Sequence, residues 1–80
     1  MDRKSTPIQY YEVDLTKEYS MCIKAITPPT IEGLTKFLAH DLEIYGGQKV
    51  LSFNPIDKED AMKFYDFSNE ANWPIYGEKM

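Results

Sequence analysis

The chain holds a single cysteine, Cys22, and a single histidine, His40. One thiol excludes an intrachain disulfide. The two residues together fall short of the four Cys/His ligands that a structural zinc site wants. No apolar stretch approaches the roughly 20 residues of a membrane span, so no membrane association is expected. Residues 1–7 carry Arg3 and Lys4 but no apolar run follows them, and the segment does not read as a secretory signal. A lone free thiol suits a reducing compartment, and the expected location is the cytoplasm.

Basic residues are scarce too. Nine Lys and Arg stand against thirteen Asp and Glu, a net charge of −4. A protein that binds bare DNA or RNA carries a basic stripe to displace counterions from phosphates, so nucleic acid is not an expected partner. The motifs that announce chemistry are absent as well: no G-x-x-x-x-G-K-[ST], no G-x-G-x-x-G, no G-x-S-x-G and no H-E-x-x-H. No cofactor or metal is expected, and the chain does not read as an enzyme.

What is present is a real core. The sequence is 42% hydrophobic and 14% aromatic, too apolar for a disordered chain. Eighty residues make one domain. We take residues 1–7 as a polar lead-in and 8–80 as the domain. A domain of this size buries only roughly 60–65% of its unfolded surface. Its core supplies no more than about 3–5 kcal/mol, which favours self-association, as in a homodimer, or a binding partner.

Period-two alternation over residues 8–15 puts Tyr11, Val13 and Leu15 on one face of a strand. Tyr10, Glu12 and Asp14 fall on the other, expected to be wet. Residues 20–26 read as a second strand, and the four-residue connection favours an antiparallel hairpin. Pro28 and Pro29 end it. Thr30 is an N-cap for a helix over 31–45, with Ile31, Leu34, Leu38, Leu42 and Tyr45 at helical spacing and Phe37 and Ile44 widening the stripe. Gly46-Gly47 stops it. Gly33 weakens it by about 1 kcal/mol relative to alanine.

Residues 48–54 form a third strand. Its unbroken Val50, Leu51 and Phe53 suggest a central position, and a parallel crossover from strand two is open to it. Pro55 ends it. Asp57 is the N-cap of a second helix over 58–68. Trp73-Pro74-Ile75-Tyr76-Gly77 is extended, either a short edge strand or a tail packed by its rings. The order β-β-α-β-α predicts an α+β fold: a small, mostly antiparallel sheet with both helices on one face.

Three constellations bear on function. Cys22 and His40 are the one nucleophile–base pair to test, but Cys22 lies mid-strand and reads first as a small buried hydrophobe. His40 and Glu43 share a helix face, though two ligands make a poor metal site; a solvated exterior is the simpler account. Asp57, Glu59, Asp60, Asp66 and Glu70 concentrate acid over residues 57–70 against Lys58 and Lys63. That surface reads as a capped, solvated helix, or else as a mimic of nucleic acid aimed at a basic cleft.

The aromatics are the strongest feature. Tyr10, Tyr11, Tyr19, Phe64, Tyr65, Phe67, Trp73 and Tyr76 lie toward the two ends of the chain. So small a domain is not expected to bury them all, and exposed Tyr and Trp make good interface anchors. The competing expectation is that the Trp73–Tyr76 tail folds back over the sheet. The sequence thus points to a non-enzymatic protein-interaction module, a regulatory or inhibitory accessory of the kind phages and mobile elements encode. Its candidate interface residues are Tyr10, Tyr65, Trp73, Tyr76, Asp60 and Asp66, with an uncovered sheet edge beside them. The alternatives are an acidic nucleic-acid-mimicking inhibitor and a small enzyme or metal protein using Cys22 and His40.

Overall fold

The computed structural model describes residues 8–77. The expected lead-in over residues 1–7 lies outside them. The fold is α+β, as the element order predicts. Four strands, β1 (Gln9–Leu15), β2 (Ser20–Ala25), β3 (Val50–Ile56) and β4 (Ile75–Tyr76), form one sheet in the order β3-β1-β2-β4. Three helices, α1 (Ile31–Phe37), α2 (Ala39–Ile44) and α3 (Lys58–Phe64), and two 3-10 segments, Thr16–Glu18 and Phe67–Asn72, make up the other elements of the described residues. Both β1 pairings are antiparallel, and among the described residues only the two-residue β2–β4 pairing is parallel.

β1 and β2 form the expected hairpin, with Tyr11 opposite Ile23 and Val13 opposite Met21. The residues expected to share a face do so. Val13, Leu15, Ile23 and Val50 meet Leu34, Leu38 and Leu42 in one buried cluster. The helix expected over 31–45 is interrupted at Leu38, whose backbone (φ −102°, ψ 14°) separates α1 from α2. The three leucines still follow one another at four-residue spacing and stay on the sheet. They fill the layer by themselves. Ile31, Phe37, Ile44 and Tyr45, read as part of the stripe, remain exposed. Thr30 caps α1 as expected, its hydroxyl accepting from the Gly33 amide at 2.9 Å. Gly46 and Gly47 both take positive φ at the stop.

Three expectations are corrected. First, β3 is an edge strand, not a central one. Its apolar run misleads because Leu51 points out, 61% exposed. Pro55 lies inside β3 rather than ending it. The register explains why. The Lys24 amide bonds to Pro74 in the β4 direction, so the backbone groups of Met21 and Ile23 face β1, and Tyr11 and Val13 face β2 in return. Pro55, opposite Tyr11, therefore turns its missing N–H toward the open side, where an edge strand tolerates proline.

Second, the helices do not share one face. β3 lies outside β1 and β4 outside β2, so the two crossovers run in opposite directions across the sheet. Crossovers of one hand that run in opposite directions cover opposite faces. α1 and α2 cover the face of Val13 and Ile23. α3 and the segment after it cover the other.

Third, that other face is not wet. Phe67 and Trp73 pack on Tyr10, Tyr65 reaches Glu12, and Glu12, Cys22 and Lys24 on this face are half-buried or buried. α3 ends at Phe64, short of the expected 68, and the chain continues as the 3-10 segment over the sheet. Asp57 occupies the N-cap position of α3 but makes no side-chain cap bond. Of the expected apolar face of α3, only Ala61 is buried; Met62 and Phe64 are exposed. The tail adds as β4, with Tyr76 against Phe37 in an edge-to-face contact at 5.2 Å.

Candidate functional site

Two polar networks tie the second layer to the sheet. The Tyr10 hydroxyl donates to Glu70 at 3.0 Å, and the Lys24 ammonium sits 3.2 Å from the same oxygen. The Tyr65 hydroxyl donates to Glu12 at 2.7 Å. Tyr10 and Phe67 flank Trp73 at 5.9 and 5.4 Å, both edge-to-face. The Tyr10 bond is the main influence holding the Glu70 carboxyl below its usual range, with Lys24 adding to it. Burial, reinforced by the carboxylates they bond, pushes the Tyr10 and Tyr65 phenols up. Burial and then Glu12 raise the Cys22 thiol to about 11. These groups hold the sheet and its cover together, and the two phenols and the thiol keep their protons more tightly than usual.

Four of the candidate interface residues, Tyr10, Tyr65, Trp73 and Tyr76, are thus half-buried within the chain. The small domain does engage these rings, by using both faces of its sheet. Asp60 is half-buried on α3 and Asp66 is exposed after it. His40 is exposed on α2 and does not line the cleft to which Cys22 contributes. No group of three or more His, Cys, Asp or Glu able to hold a metal ion occurs among the described residues.

The open surface lies at one end of the molecule, where β2 begins, α2 ends and the 3-10 segment passes. A cleft of about 460 Å³ runs along the start of β2, over Ser20, Met21 and Cys22. α2 walls it with Asp41 and leads into Tyr45. The chain after α3 walls it with Tyr65, Asp66, Asn69 and Asn72, and Trp73 and Pro74 close its end. Beside it a smaller cleft of about 260 Å³ is lined by Leu15, Tyr19, Ser20, Met21 and Tyr45. The two share Ser20, Met21 and Tyr45 and form one continuous surface. Tyr19 and Tyr45 stand together there, ring centroids 6.2 Å apart, 56% and 53% exposed. Ile44, 63% exposed, precedes Tyr45 in sequence. A third cleft at the far end of the hairpin, about 260 Å³ along Ile8, Tyr11, Ala25 and Pro28, holds no charged side chain.

Of the residues singled out from the sequence, Tyr65, Trp73 and Asp66 reach the larger cleft; Tyr10, Tyr76 and Asp60 do not. Sequence reasoning missed Tyr45 and Asp41. Tyr45 falls on the leucine stripe of the helix and reads as core. The signal against that reading is its place next to Gly46-Gly47, where the helix stops. Compared with family models, with curated proteins and with solved structures, the chain matches none.

Proposed function

We propose that this chain is a non-enzymatic protein-binding module, a regulatory or inhibitory accessory that engages its partner through the tyrosine-lined end of the molecule. The observation that carries this reading is the Tyr19–Tyr45 pair. Both rings are more than half exposed; Tyr45 lines both clefts and Tyr19 the smaller one. Tyrosine contributes large contact area at low entropic cost and is enriched at binding hot spots. No helix among the described residues is long and apolar enough to cross a membrane.

The nucleic-acid mimic has a weaker basis, because Glu70 is committed to Lys24 and Tyr10 inside the chain. The enzyme reading asks most of Cys22, whose thiol is buried and held protonated. The test is affinity capture from a lysate of the source organism by the immobilised chain and by a Tyr19→Ala, Tyr45→Ala variant, washed at rising salt. The proposal expects one partner that survives high salt on the parent chain and is lost from the variant. Equal capture by both would place the interface elsewhere. Capture of a nucleic-acid enzyme released at moderate salt would favour the acidic mimic instead, since exposed charge contacts are screened within about 8–10 Å.

A further inference from the structure

We infer that the larger cleft takes a short extended peptide segment of a partner protein, bearing lysine or arginine, which adds to β2 as a strand in line with β4. This rests on the protein-binding reading above and names the chemistry of the partner.

The argument begins with the ladder. In β2 the backbone groups of even-numbered residues face away from β1. Lys24 and Ile26 donate to Pro74 and Tyr76 on that side, at 3.1 and 3.0 Å. Ser20 and Cys22 face the same way. To extend the parallel ladder one step further, residue 74 would have to donate its N–H to the Cys22 carbonyl. Proline has none. The pairing therefore stops at Lys24 and Ala25. The outward backbone groups of Ser20 and Cys22 have no strand partner among the described residues. That stretch of edge forms the floor of the 460 Å³ cleft.

A bare edge is a template for another strand, and main-chain hydrogen bonds then supply affinity while side pockets supply selection. The walls decide the chemistry. Successive side chains of an added strand would point alternately toward the two layers. One layer presents Tyr45 and Asp41, the other Tyr65 and Asp66. No lysine, arginine or histidine lines the cleft. Neither aspartate takes part in an ion pair among the described residues. An acidic cleft with aromatic walls on an acidic protein selects a basic, partly apolar strand.

The experiment uses the ¹⁵N-labelled full chain and blocked peptides as probes, read by amide chemical shifts. The first probe is Val-Val-Lys-Lys-Val, whose adjacent lysines point to the two opposite layers. The second replaces both lysines with glutamate. The third carries N-methyl groups at alternate backbone nitrogens, which leave charge and side chains intact but remove strand pairing. The inference expects the lysine peptide to shift the Ser20 and Cys22 amides. N-methylation should weaken binding about tenfold by removing backbone bonds. The Asp41→Asn, Asp66→Asn variant should weaken it about fivefold. The glutamate peptide should leave these amides unmoved. No shift at Ser20 and Cys22, or equal binding by the N-methylated peptide, would overturn it. So would shifts at those amides that depend on protein concentration alone, which would make the occupant a second copy. If the peptides fail while the captured partner still distinguishes the Tyr19→Ala, Tyr45→Ala variant, the protein-binding reading stands and only the strand addition falls.

Discussion

Lys24 lies inside the fold with its ammonium 3.2 Å from Glu70, on a carboxylate oxygen that also accepts the Tyr10 hydroxyl. The lysine side chain is only 7% exposed and Glu70 25%. A buried charge that loses its partner costs far more than a pair replaced by apolar atoms. The two partners should therefore respond unequally to mutation. Glu70→Ala should cost about 2–3 kcal/mol, since it strands the ammonium beneath Tyr10. Lys24→Met should cost less than about 1 kcal/mol, because Glu70 keeps access to water. Urea denaturation of the two variants checks this, and equal losses would contradict it.

The same layer makes the protein labile to alkali. Tyr10, Cys22 and Tyr65 all hold their protons more tightly folded than unfolded. A raised folded pKa contributes stability that is fully present below the unfolded pKa and is lost as pH rises through the folded one. The unfolded values are about 8.5 for Cys and 10 for Tyr. Stability should thus begin to fall near pH 9 and decline steeply beyond it, as Cys22 approaches about 11. Glu70 acts at the other end, contributing above its unfolded pKa and losing that contribution in acid. Thermal unfolding against pH, with Tyr65→Phe as the variant, reads this: the alkaline slope should flatten in Tyr65→Phe.

Gly33 offers a test in which propensity and packing predict opposite signs. A helix-interior glycine replaced by alanine ordinarily gains about 1 kcal/mol. Here a Cβ would run into the Tyr76 hydroxyl and lie 2.9 Å from the Thr30 hydroxyl oxygen. Gly33→Ala should destabilise the fold, and adding Tyr76→Phe should recover part of the loss. A stabilised Gly33→Ala would show that β4 does not press on α1.

These relationships also mark how far the sequence can be read. The hairpin and the leucine stripe are legible because each is local: alternation along one strand, four-residue spacing along one helix. The position of β3 is not, since Val50, Leu51 and Phe53 look alike whether a strand is central or at the edge. Pro55 was the better signal, as an edge strand is where a proline is tolerated inside the run. The covering of the second sheet face depends on the direction of two crossovers, which no short window of sequence contains. Of the site, Trp73, Tyr65 and Asp66 were found because aromatic and acidic residues at the end of a chain stand out. Tyr45 was hidden by the apolar stripe it terminates.

Trp73 reports on the same cover. Its ring contacts Tyr10, Tyr65 and Phe67, each pair at 5.4–6.4 Å. Its emission should stay blue-shifted and unchanged from millimolar to micromolar protein, because the rings that shield it belong to its own chain. Trp73→Ala should cost about 2–3 kcal/mol, given half-burial and the several aromatic pairs lost. Emission that reddens on dilution would mean the shielding comes from a second copy.

The claim on which the account rests most directly is that β2 leaves part of its edge open at the cleft. Hydrogen exchange of the free protein, resolved by residue, measures it. The Lys24 and Ile26 amides, bonded to Pro74 and Tyr76, should be protected, and the Ser20 and Cys22 amides should exchange much faster despite belonging to the same strand. Slow exchange at Ser20 and Cys22, matching Lys24, would mean the edge is already occupied and would contradict the account.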